Sequence, residues 1–147
     1  MEEGDLPLPR APHRPGSGSS PDLAPLQRAK AQAPRRTDPQ AWAENLPYRY
    51  GWRLYEAGFY WEAHEVWEAV WLACSPQSRE RLLLQVLIQL ANARLKAVMG
   101  QTKAALRLLA EVERLRAEPG LQGAPVMAVT QERLTQLVRE IQIKDAK

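Results

Sequence analysis

Apolar residues recur every three or four positions along the chain from residue 38 onward, which is the period of an amphipathic helix. The runs are separated by glycine, proline and serine, the residue types that mark helix ends. The pattern therefore predicts an all-α fold of five to six helices, over residues 38–45, 48–57, 59–73, 79–98, 102–117 and 128–141.

The run over residues 79–98 is the most hydrophobic and is apolar on nearly all sides, which predicts a helix at the centre of its domain. One spacing also occurs twice along the chain: a glycine is followed by a small residue five positions later and by apolar residues nine and twelve positions later. This repetition predicts a compact bundle built from stacked α-hairpins. The two sets are Gly58, Ala63, Trp67, Val70 and Gly100, Ala105, Leu109, Val112.

The first 37 residues follow a different pattern. They contain no aromatic residue, are rich in proline and include a Gly-Ser run at residues 16–20. Such a segment buries too little apolar surface to offset the entropy lost on ordering. We predict a disordered tail over residues 1–37, with His13 solvated and a transient helix over residues 23–33. A single helical domain over residues 38–147 is expected to follow it.

Composition narrows the class of protein. The 147 residues are 45% hydrophobic and 25% charged, with a formal net charge of +3. In the helical part, basic and acidic residues are interleaved, which argues against a nucleic-acid surface. We expect no membrane association, because no apolar run is long enough for a span and the N-terminus lacks the pattern of a secretory signal. The single cysteine, Cys74, is predicted to be buried and unreactive, and it favours a cytoplasmic location.

The run over residues 59–73 carries the residues most suited to chemistry. His64, Glu65 and Glu68 are candidates for a general acid–base pair or a metal site, with His64 as the metal ligand. The spacing excludes two familiar metal motifs. A zincin helix needs a second histidine where Glu68 stands, and a di-iron helix needs a glutamate where Trp61 stands. Glu62 and Glu65 are predicted to point away from the apolar face.

A structural interpretation competes with the chemical one. Polar residues form a narrow stripe along the otherwise apolar run over residues 79–98. If this stripe faces His64 and Glu68, the groups can satisfy one another inside the core, as buried polar groups normally do. This interpretation predicts a buried network of His64, Glu68, Gln85, Gln89 and Asn92.

Two apolar residues interrupt the polar side of the run over residues 59–73. Trp61 and Leu72 are therefore the candidates for an exposed interaction surface, whose partner would be a second copy of the chain or another protein.

The sequence GFYWEAHEVWE at residues 58–68, followed by Trp71 and by LQVLIQLA at residues 84–91, resembles the bacterial domain of unknown function 309 family. The resemblance covers about residues 48–117. The chain departs from the family pattern at Val86, where the family has glycine, and near Lys96, where a histidine is common. The resemblance implies a compact all-helical fold and no established reaction.

These observations favour a non-enzymatic structural or protein-interaction module, with no cofactor. The alternative is a small metal-binding protein or hydrolase that uses His64 with Glu65 or Glu68. No nucleophile pattern, glycine-rich phosphate loop or paired-cysteine motif in the sequence supports an enzyme.

Overall fold

The computed structural model describes residues 6–141, and this part of the chain forms six α-helices and two short 3₁₀ helices. No strand occurs in these residues; the backbones of Val126 and Val129 form an isolated antiparallel bridge. The predicted all-α bundle is thus confirmed. The α-helices are α1 (Ala24–Ala31), α2 (Leu46–Glu56), α3 (Tyr60–Leu72), α4 (Arg79–Val98), α5 (Thr102–Arg116) and α6 (Gln131–Arg139), and the 3₁₀ helices span Pro39–Glu44 and Pro119–Leu121.

Helices α2 to α5 pack mainly against their neighbours in chain order, with α4 between α3 and α5. The apolar residues of α4 are buried on several sides, which confirms its predicted central place. None of the helices in the described part combines the length and apolar character needed to cross a membrane.

Local signals set most helix ends where the sequence placed them. Gly58 and Gly100 adopt positive φ angles of 91° and 76°, which is the left-handed conformation that ends a helix cheaply only at glycine. At the start of α4, the side chain of Ser78 accepts a hydrogen bond from the backbone N–H of Arg81 at 3.1 Å.

Two predicted helices differ in detail. The predicted helix over residues 38–45 is a 3₁₀ helix over Pro39–Glu44. It ends there because Asn45 is extended and caps α2 by accepting from Tyr48 N–H at 3.0 Å. The predicted helix over residues 128–141 begins only at Gln131. The preceding residues form a tight turn with positive φ at Met127 and Ala128, and Thr130 caps α6.

The packing of α2 on α3 depends on Gly51. A Cβ atom at this position would overlap the indole ring of Trp67, so only glycine permits the observed approach. The Trp67 side chain is fully buried, and its Nε1–H donates to the carbonyl of Tyr48 at 3.1 Å. This hydrogen bond and the close approach at Gly51 fix α2 against α3, the helix that carries His64.

Residues 6–37 differ from the predicted disordered tail. Leu6 is 1% exposed and Leu26 is fully buried, both within the main hydrophobic cluster. Helix α1 packs on α2 and α3, and Thr37 donates from its hydroxyl to the carbonyl of Val70 at 2.8 Å. The segment has few apolar residues of its own, but α2 and α3 supply the surface that buries them. Residues 1–5 lie outside the described part.

Candidate functional site

The three residues singled out for chemistry come together on α3. The Nε2 atom of His64 lies 3.6 Å from Glu65 Oε2 and 3.6 Å from Glu68 Oε2. One nitrogen or oxygen atom from each side chain falls within 4.8 Å of the others. On the far side of the cluster, Lys30 Nζ contacts Glu65 Oε1 at 3.2 Å. The sequence prediction that these groups meet therefore agrees with the geometry.

The other ring nitrogen of His64 is also engaged. Its Nδ1 lies 3.0 Å from the carbonyl oxygen of Trp61, one turn earlier on α3. A carbonyl oxygen only accepts hydrogen bonds, so this contact is made when Nδ1 carries a proton. The imidazole is thereby held with Nε2 toward the two carboxylates.

The polar residues predicted to form one network are not connected by hydrogen bonds in the described structure. Among the described residues, no hydrogen bond joins His64 or Glu68 to Gln85, Gln89 or Asn92. Gln85 instead lines a cleft on another side of α4 together with residues of the loop after α5. All three amides are partly exposed, so water can satisfy them without His64. The contacts of His64 are with α3 itself.

Glu62 is the residue that the sequence pattern placed incorrectly. It was expected to point outward, but its side chain is fully buried. Its Oε2 accepts a hydrogen bond from the backbone N–H of His13 at 2.8 Å, and its Oε1 has no partner among the described residues. Burial raises the pKa of the Glu62 carboxyl, because the charged form loses its hydration.

A buried carboxyl of this kind predicts an effect of pH on stability. Because the folded state binds the Glu62 proton more tightly than the unfolded state, the contribution of this carboxyl to stability is greatest below the unfolded pKa of about 4.3 and is lost as pH rises through the folded pKa. The variant Glu62→Gln keeps an oxygen for the His13 N–H. Its free energy of unfolding is expected to fall less than that of the wild type between about pH 5 and pH 8.

Urea denaturation at four pH values across this range tests the expectation. The matched control is Glu113→Gln, which removes one exposed carboxylate from α5. If the wild type and Glu62→Gln lose stability in parallel as pH rises, the buried carboxyl is not the source of the effect.

The segment over residues 6–15, which we call the N-terminal strap, lies across α2 and α3. The Tyr50 hydroxyl donates to the carbonyl of Pro7 at 2.5 Å, and Arg53 donates to the carbonyl of Leu6 at 3.0 Å. Together with the Glu62 contact, three side chains of the domain hold the strap through its backbone. No local pattern in the sequence predicts these contacts, because the residues that make them are far apart along the chain.

The two candidates for an interaction surface have different environments. Leu72 is 71% exposed. Trp61 is only partly exposed, because the ring of His13 covers it edge-on at a centroid distance of 4.8 Å. His13 is therefore packed on the domain rather than solvated as predicted.

Two further features need no functional explanation. Cys74 is buried, as predicted, and burial raises the pKa of its thiol to about 11, so the reactive thiolate is scarce at neutral pH. A cleft of about 400 Å³ lies between α2, α6 and the turn before α6. Its Arg133 lies 3.5 Å from Glu56 and over the ring of Trp52, so this cation already has partners within the fold.

Residues 48–108 match the model of DUF309, a domain of unknown function. The match confirms the resemblance found in the sequence. It includes Tyr50, Arg53, Glu62 and the His64 cluster, whereas the N-terminal strap lies outside it. Comparisons with curated proteins and with solved structures gave no significant match.

Proposed function

We propose that this DUF309-like helical unit is a non-enzymatic protein-interaction module that binds an extended, proline-rich peptide across α2 and α3. The observation that carries the proposal is the N-terminal strap itself. Its backbone is held at both ends by Arg53, Tyr50 and Glu62, as a bound peptide would be. In this chain the strap acts as an intramolecular occupant of the site.

The contacts are of the kind that recognise an extended backbone. Tyr50 and Arg53 donate to two consecutive carbonyls, and Glu62 accepts from the backbone N–H six residues after the second of them. Proline-rich segments favour the polyproline II conformation, which leaves backbone carbonyls free for such donors and loses little entropy on binding. Prolines at positions 7, 9, 12 and 15 fit this description.

An apolar side chain supplies the anchor. Leu6 is 1% exposed against the domain, whereas Leu8, two positions later, is 36% exposed. Burial of one leucine side chain contributes about 1.5–3 kcal/mol. The expected ligand therefore has a leucine at the start of a proline-rich stretch.

The strap is an incomplete occupant of the site. It gives Glu62 one hydrogen bond and leaves the buried Oε1 atom without a partner among the described residues. An unpaired buried acceptor costs about 1–3 kcal/mol. A peptide with a second donor at the position of His13, such as a lysine or arginine, would pair with this oxygen and compete effectively with the strap.

The contacts favour this function over the alternative hydrolase. In the described structure His64 contacts a backbone carbonyl and two carboxylates, and no hydroxyl or thiol lies within hydrogen-bond distance of it. A histidine that activates a nucleophile needs such a neighbour. A homodimer through Leu72 and a cytoplasmic location stay predictions.

The proposal is tested with a fluorescent peptide of residues 6–15 and two forms of the full chain. In the double variant Leu6→Ala/His13→Pro the strap loses its anchor and the N–H that Glu62 accepts. The peptide is expected to bind this variant at least about tenfold more tightly than the wild type, because the tethered strap competes at a millimolar effective concentration. Fluorescence anisotropy measures both affinities.

The matched control is the same peptide carrying the same two substitutions, which is expected not to bind. Circular dichroism establishes that the double variant remains helical. A helical double variant that fails to bind the unmodified peptide would show that the strap is only a structural cover. Equal binding to the variant and the wild type would place the peptide elsewhere.

A further inference from the structure

We infer that His64, Glu65 and Glu68 form a site for a divalent transition-metal ion on α3. The inference is independent of the proposed peptide site, because none of these three side chains bonds to the N-terminal strap. One imidazole and two carboxylates suit Zn²⁺ and its neighbours Co²⁺ and Ni²⁺, whereas Mg²⁺ and Ca²⁺ prefer oxygen ligands alone.

The distances match those of a coordination sphere. Zn²⁺ binds histidine nitrogen and carboxylate oxygen at about 2.0–2.2 Å, so two ligands of a tetrahedral ion are about 3.4 Å apart. The Nε2 atom of His64 lies 3.6 Å from an oxygen of each glutamate. The third separation lies within 4.8 Å, which a small rotation of the exposed Glu68 side chain can shorten.

The hydrogen bonds around the cluster orient its ligand atoms. The contact between His64 Nδ1 and the Trp61 carbonyl assigns the proton to Nδ1, so a neutral imidazole directs the lone pair of Nε2 toward the carboxylates. Lys30 engages Glu65 Oε1 and leaves Oε2 on the side of the histidine. Partners of this kind fix the ligands of known metal sites.

With a neutral imidazole, the three atoms that face one another inside the cluster are all acceptors. The Nε2 lone pair and the two Oε2 atoms face one another, and their mutual repulsion is relieved by a cation between them. The partly exposed Glu68 leaves the remaining coordination positions to water.

The experiment uses the full chain without a histidine tag, stripped with EDTA and titrated with Zn²⁺ by calorimetry and with Co²⁺ by visible absorption. One ion per chain and a Co²⁺ spectrum of low coordination number are expected. Loss of a supporting partner already weakens metal binding by about 10–100-fold, so loss of a ligand is expected to weaken it by at least about tenfold in Glu68→Gln and by more than about a hundredfold in His64→Ala.

The chain has two histidines, so His13→Ala is the matched control and is expected to bind Zn²⁺ like the wild type. Circular dichroism of His64→Ala, and of His64→Gln if the alanine variant does not fold, separates loss of metal from loss of structure. Absence of Zn²⁺ and Co²⁺ binding by the wild type at neutral pH would overturn the inference. Full binding by a folded His64 variant would overturn it as well.

Discussion

Replacement of Trp67 by alanine is expected to lower the free energy of unfolding by about 3–5 kcal/mol, the range for large aromatic side chains lost from a core. The Trp67 side chain is fully buried where α3 packs against α2. Its ring packs against Trp52 and Tyr55 at centroid distances of 5.2 and 5.9 Å, and its N–H donates to the carbonyl of Tyr48. Alanine removes all of these contacts, including the side-chain donor to that carbonyl.

Urea denaturation monitored by circular dichroism measures this loss. The matched control is Leu72→Ala on the same helix, where the side chain is 71% exposed and the expected change is within about 0.5 kcal/mol. Similar changes in the two variants would contradict the placement of Trp67 at the centre of the helix packing.

The variant Gly51→Ala is expected to destabilise the protein by about 1–3 kcal/mol, the usual cost of inserting a group into a filled core. Helix propensity alone predicts the opposite sign, since alanine is favoured over glycine by about 1 kcal/mol inside a helix. Gly51 lies within α2, but a Cβ atom there would overlap the indole ring of Trp67. Both helices also pack against other helices of the fold, so neither can move away to make room for the new methyl group.

A double-mutant cycle separates the clash from other effects. In a Trp67→Leu background the smaller side chain leaves room for the new methyl group, so Gly51→Ala is expected to cost less there, with a coupling of about 0.5–3 kcal/mol. An increase in stability for Gly51→Ala in the wild-type background would show that α2 and α3 are not packed as closely as described.

The four helices of the family-like region were predictable because their signals are local. Gly58 and Gly100 stop helices through their own φ angles, and Ser78 caps α4 through a residue three positions away. The meeting of His64 with Glu68 was predictable for the same reason, since four residues along a helix bring side chains together.

The orientation of side chains between helices was less predictable. Helical periodicity places Glu62 opposite the apolar face of α3 and therefore predicts an outward side chain, yet the strap covers it and supplies a donor. Gln85, Gln89 and Asn92 form one stripe on α4, but the rotation of α4 relative to α3 decides which neighbours they meet. Periodicity identifies a stripe without identifying its partner.

The N-terminal strap shows the same limit over a longer distance. Its composition predicts disorder because it has too few apolar residues to form a core of its own. Leu6 is nevertheless buried, because the strap packs on a surface formed by α2 and α3. Composition indicates how much apolar surface a segment can bury by itself. Whether the segment is ordered in the fold also depends on the apolar surface that other segments offer it.

The sequence by itself determined the helical class, the extent of α2 to α5, the family resemblance and the position of the His64 cluster. Each follows from residues that are close in the chain and interact through a fixed helical period. Only the tertiary structure decided that Glu62 is buried, that Gly51 must be glycine and that residues 6–15 lie across α2 and α3. These outcomes depend on which surfaces meet, and contacts between distant residues leave no periodic signal in the chain.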